Sequence, residues 1–313
     1  MRLGLLNVRK GVMQWLLPPL RLLPPRTALR LVSALGRAEY ALNPPMRRRY
    51  IAALSRGARH FGVAWDVHSL GGALAGNHLR WRARDLLLDG LSNAEAAPLF
   101  HIEGREHLDT ALAKGRGVVL LFNHFGAFLM PAHWLIREGY PLRWFTERPR
   151  HVSKLVRRSF QTDGPLGQKK LFMSRKDGPA EGGIAIRSAL RILRAGMIVQ
   201  VAGDVRWTGP RTAPARFLGR TYTFTTTWIT LAARTGAEVV PTFGIMDRDG
   251  TYRLEFLPAF TIPAEVVQTG DFSPWVQSYL HAIEERIRRY PDNSSDYLFW
   301  AESNDYAVDA TTG

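Results

Sequence analysis

The sequence predicts an α/β fold, a mostly parallel mixed sheet flanked by helices, with a helical segment ahead of it. Three observations predict this. Short apolar runs at residues 117–122, 142–145, 198–202 and 238–243 read as buried strands of a parallel sheet. Helical periodicity fills the intervals, at 127–138, 183–194 and 225–235, and this alternation is that of strand-helix-strand units. The first ninety or so residues show helical patterns only.

Taken in order, residues 27–89 place Leu29, Leu31, Val32 and Leu35 at three-to-four spacing, broken at Asn43-Pro44-Pro45, with a further helix through 47–54. Ser92-Asn-Ala-Glu95 has the spacing of a capping box and opens another short helix. Residues 253–257 alternate as a half-exposed strand does. Ser273-Pro274 reads as an N-cap followed by proline at the first helical position, and Trp275, Tyr279, Leu280, Ile283 and Ile287 mark one apolar helix face. The tail from Ala301 is short and polar, and no internal repeat is present.

The 313 residues carry no cysteine, which excludes disulfides, thiolate metal sites and a cysteine nucleophile. A net charge of +15 favours an anionic partner. Residues 1–50 hold ten Lys/Arg against Glu39 alone, set among leucines. The stretch 11–25 contains Trp15 and many leucines, but prolines and Arg21 interrupt it well short of a membrane span. It also lacks the small-residue cleavage site of a signal peptide. Residues 1–45 are therefore expected to be an interfacial, membrane-associating segment on the cytoplasmic face, peripheral or monotopic, and 46–313 the main domain. The alternative is that these leucines pack on the domain. The basic pI also invites nucleic-acid binding, but no helix-turn-helix, RNP or zinc-finger signature accompanies it, so no nucleic-acid partner is expected.

The chemistry sits where the first predicted strand ends in Asn123-His124-Phe125-Gly126 and a helix begins. A side chain at the carboxyl end of a parallel strand faces the crevice where such folds bind ligands. His124 is a candidate base, because its unperturbed pKa lies near neutrality. Phe125, Phe128, Leu129, Met130 and Trp134 beside it either line an apolar channel or are ordinary core, the reading preferred for most of them. His133 is read as a surface or packing residue, and the sequon Asn293-Ser-Ser295 as a chance match.

Blocks along most of the chain resemble the lipid A lauroyl/myristoyl acyltransferases, a branch of the glycerolipid (lysophospholipid) acyltransferases. They are Glu103-Gly-Arg-Glu-His-Leu108 with the strand and His124-Phe-Gly126, then Ala202-Gly-Asp-Val-Arg-Trp-Thr-Gly-Pro-Arg211 with Phe217-Leu-Gly219, then 225–241, and lastly 283–291. The resemblance implies a glycerolipid-acyltransferase-like fold. It also implies transfer of a fatty acyl group from acyl-ACP, or acyl-CoA, to a hydroxyl of a membrane glycolipid or phospholipid, at the bacterial inner membrane. His124 matches the family's general base. No metal or organic cofactor is implied, since the thioester already supplies an activated acyl group.

The family places Asp or Glu five residues after its histidine to orient the ring, whereas position 129 here is Leu. A carboxylate from elsewhere fills the gap, a backbone carbonyl does so more weakly, or the chain is a degenerate member that binds lipid or carrier without turnover. Glu147, just after the next predicted strand, is the candidate substitute. Its plainer reading is a surface glutamate paired with Arg148 or Arg150. Arg150, Asp204, Arg206 and Arg211 are expected to bind substrate or carrier, with Asp204 organising the arginines in a structural rather than catalytic role. The residues after Trp300 lack the basic side chains frequent in the lipid A enzymes.

Overall fold

A computed structural model describes residues 17–88, 90–147, 170–173 and 179–302. Residues 1–16 of the expected interfacial segment and Arg150 lie outside them. After one helical turn at Leu17–Leu20 come three long helices: α1 (Pro25–Leu42), α2 (Pro44–Phe61) and α3 (Val67–Leu88). Asn43 separates the first two, its side chain accepting a hydrogen bond from the Met46 amide at 3.1 Å, and Gly62 ends α2 in the left-handed conformation. The small residues of α1 and α3 allow close approach. A Cβ on Gly36 would lie 2.6 Å from the Ala75 carbonyl oxygen, which no side chain tolerates.

A seven-stranded sheet follows, in the order β1-β9-β8-β2-β5-β3-β4. The strands are β1 (Phe100–Glu103), β2 (Val118–Phe122), β3 (Leu142–Glu147), β4 (Lys170–Met173), β5 (Ile198–Ala202), β8 (Glu238–Met246) and β9 (Tyr252–Phe256). Every pairing is parallel except β8 with β9. The remaining two strands, β6 (Thr212–Phe217) and β7 (Arg220–Thr225), form a separate antiparallel hairpin. The expected strands are present and the sheet is mixed and mostly parallel, as read. Strands β1, β4 and the hairpin carry no long apolar run and were not expected. Thr225 closes β7, so the helix expected from 225 begins at Thr227 instead.

Every residue of β2 is buried, and its side chains alternate between two cores. Val119 and Leu121 point to the side covered by α6 (Pro179–Arg194), α7 (Thr227–Thr235) and α8 (Ser273–Arg289). Val118 and Leu120 face α1, α3, α4 (Arg105–Ala113) and α5 (Met130–Arg137). The expected apolar face of α8 is buried, apart from half-buried Trp275, which stacks on Phe260. Phe272 occupies its N-cap position, so Ser273 is the first helical residue rather than the cap. Ser92 and Glu95 form the capping box expected of them. Among the described residues no helix is long and apolar enough to cross a membrane.

Candidate active site

Strand register builds the centre. Phe122 at the end of β2 is paired in parallel with Ala202 at the end of β5, and the Gly203 amide donates to the Phe122 carbonyl at 2.9 Å. Two residues beyond that pair on each strand, His124 and Asp204 come side by side. Asp204 is buried, and its Oδ2 lies 2.9 Å and its Oδ1 3.0 Å from His124 Nδ1. The same carboxylate accepts the His124 backbone N–H at 2.9 Å and the Tyr297 hydroxyl at 2.7 Å. Gly203 has to be glycine, since a Cβ there would meet the Tyr279 ring at 2.4 Å.

Burial alone would raise the Asp204 pKa, but the His124 charge and the hydrogen bonds from His124 and Tyr297 outweigh it and hold the carboxyl below its ordinary range. The imidazole is 38% exposed and the carboxylate 0%, so the ring alone meets solvent or substrate. A carboxylate on Nδ1 selects the tautomer that carries its proton there, leaving Nε2 as the basic atom. Asn123 stiffens the turn: its side chain donates to the Thr242 carbonyl and the Tyr279 hydroxyl and accepts from the Phe125 amide.

Aromatic rings wall the imidazole. Phe128 lies 4.9 Å from it, centroid to centroid, and packs on Phe122 and, at 4.4 Å, on Trp81 of α3. Of the five apolar candidates, Phe125, Met130 and Trp134 are core residues, while Phe128 and Leu129 are only half-buried. Leu129 caps α5 and packs on the core beneath it.

A family model described as bacterial lipid A biosynthesis acyltransferase matches residues 87–299. The chain belongs to that family. The match contains His124, Asp204 and Tyr297 and makes the protein an acyltransferase of the lipid A type. No curated protein matches the chain.

The acyltransferase's other predicted residues divide by position. Glu147 ends β3, its backbone opposite Met173, and its side chain is outside the described atoms, as is all of Arg150. Asp204, expected to organise arginines, instead contacts the imidazole. Arg206 follows it, its guanidinium 3.9 Å above the Trp300 ring and 5.3 Å from that of Tyr222. Arg211 is exposed at φ 65°, and its carbonyl accepts from the Thr226 amide and hydroxyl. Tyr297 was not anticipated. His133 is buried, accepts a hydrogen bond from Arg137 Nε, and has its pKa lowered to about 4 by burial and by the Arg137 and Arg84 charges. Among the described residues no group of His, Asp and Glu is arranged to hold a metal.

Proposed function

We propose that the protein transfers a fatty acyl group from an acyl thioester, acyl-ACP or acyl-CoA, to a hydroxyl of a membrane glycolipid or phospholipid, with His124 as general base and Asp204 as its orienting acid. The observation that carries this reading is the contact of a buried carboxylate with Nδ1 of an imidazole at the carboxyl edge of the central strand, in a chain of acyltransferase family. Nε2 takes the acceptor hydroxyl's proton as the oxygen attacks the thioester carbonyl. The tetrahedral oxyanion collapses, the C–S bond breaks, and the imidazolium returns the proton to the leaving sulfur. Asp204 stabilises the imidazolium and stays ionised throughout. The half-buried Phe128 and the Trp81 ring against it give an acyl chain an apolar surface beside the base.

This reading takes away the ground for a degenerate binder, because Leu129 no longer leaves His124 without an acid. We propose further that the protein works at the cytoplasmic face of the inner membrane. Helix α1 buries Leu29, Val32 and Gly36 yet exposes Leu31 (42%), Leu35 (40%) and Leu42 (84%), with Arg30 and Arg37 exposed on the same helix. A helix that is apolar on its outward side and flanked by arginines suits an anionic bilayer.

Acyl transfer is tested by incubating the protein with radiolabelled acyl-ACP or acyl-CoA and a total lipid extract. Label in a lipid fraction that disappears in His124→Ala is the expected result; carrier binding with no labelled lipid from either donor would restore the degenerate reading. Replacing Leu31, Leu35 and Leu42 together by Asp is expected to abolish cosedimentation with vesicles of anionic phospholipid while leaving the fold's circular dichroism intact.

A further inference from the structure

Residues 291–298, between α8 and the chain's last described turn, bind to parts of the structure that are remote in sequence. The Asn293 carbonyl accepts the Gly126 amide at 2.8 Å, and its Oδ1 accepts the Met246 amide at 2.8 Å. The Asp292 carbonyl accepts from the Asn77 side chain of α3 at 3.0 Å. The following short helix (Ser295–Leu298) delivers Tyr297, whose hydroxyl accepts the His124 backbone N–H at 3.0 Å and donates to Asp204 Oδ2 at 2.7 Å. One phenol thus bridges the backbone of the base and the side chain of its acid.

We propose that Tyr297 is a positioning residue of the dyad, clasped in place by 291–298, which fixes the Asp204 carboxylate on His124 Nδ1 and limits the negative charge the imidazole meets. The inference rests on the dyad reading above. A carboxylate can rotate about its last bond, and a donor on Oδ2 from a rigid ring removes that freedom. The ring is rigid because Phe217 and Trp300 pack on it edge to face, at 5.2 and 5.1 Å. Burial and the nearby Asp204 charge raise the phenol's pKa well above its usual value, so it remains a donor at any working pH. Among the described residues, the ionisable groups facing this centre are Asp204, Tyr279 of α8, and Asp296, whose carboxyl faces the His124 imidazole and Asp204 as well as Arg82 of α3. None of them duplicates the bridge.

The test compares Tyr297→Phe with Tyr252→Phe, which deletes a hydroxyl from a buried tyrosine of β9 that has no hydrogen-bond partner among the described residues. With Tyr297→Phe, kcat should fall about tenfold at a KM within about twofold. The acid limb of the kcat/KM profile should move to higher pH, because an Asp204 carboxylate with one donor fewer stabilises the imidazolium more. Tyr252→Phe should leave both unchanged. An NMR titration of the His124 imidazole in the full-length variants needs no substrate, so it answers even if no acyl donor is turned over. An upward-shifted midpoint in Tyr297→Phe alone supports the proposal. Superimposable titrations in wild type and both variants would overturn it, whatever the effect on stability.

Discussion

The two ends of the central sheet each bury a carboxylate, and they use it differently. At the amino end, Glu238 opens β8 and pairs with Lys114 and, at 3.6 Å, Arg116, cations that are about half exposed (45% and 53%). At the carboxyl end, Asp204 follows β5 and meets an imidazole and a phenol. Lysine and arginine hold their protons throughout the working range, so the Glu238 pairs tie α4 and the turn before β2 to β8 and can do little else. An imidazole exchanges its proton near neutrality, so the same kind of acid at the other end can support chemistry. A buried carboxylate becomes a candidate site through its partner.

The largest expected effect breaks that contrast directly. Asp204→Asn should lower kcat by about a thousandfold, because an amide can hold the wrong tautomer. Adding Leu129→Glu to that variant should not restore turnover, since Leu129 packs on the core under α5; recovery measured in the same assay would mean that the family's usual acid position still works here.

A second histidine sharpens the comparison. His133 is buried and has guanidinium groups for neighbours where His124 has a carboxylate, and burial first, then those charges, bring its pKa from 6.5 to about 4. A depressed histidine is protonated more readily in the unfolded chain, so folding stability should decline as pH drops from about 6.5 to about 4 and level off below. The full loss would be on the order of 3 kcal/mol. Urea titrations across that window should show a shallower slope for His133→Gln, and an identical slope would contradict the assignment. Asp204 acts in the same direction at lower pH: its folded pKa is depressed, so its contribution is complete above the ordinary carboxylate value and is lost as pH falls through the lower, folded one.

The smallest effect is expected at the amino end. Glu238→Gln should cost about 1 kcal/mol of stability, read as a lowered thermal midpoint, and leave acyl transfer unchanged. A matching loss of turnover would mean that the two ends are not independent.

The centre of the sheet was legible because β2, β5 and β8 are buried almost throughout and so read as apolar runs, Val118–Phe122 most clearly. The hairpin was not, since β6 and β7 alternate polar and apolar residues among prolines and glycines. His124 was legible from its place after a strand. Its partner was legible only in part. Asp204 follows the 198–202 run by the same two residues that separate His124 from its own strand, and setting those two strands side by side would have joined them. Sequence cannot say which strands are neighbours, so the next strand in the chain, β3, points to Glu147 instead. The sheet places β5 between β2 and β3. Tyr297 gave no local signal, as it acts through a short turn 173 positions from His124.

The central claim, that Asp204 rather than a carboxylate on β3 serves His124, is tested most directly by measuring kcat for acyl transfer in Asp204→Asn and Glu147→Gln side by side. The account predicts near-complete loss in the first and close to wild-type turnover in the second. Normal turnover in Asp204→Asn with collapse in Glu147→Gln would contradict it.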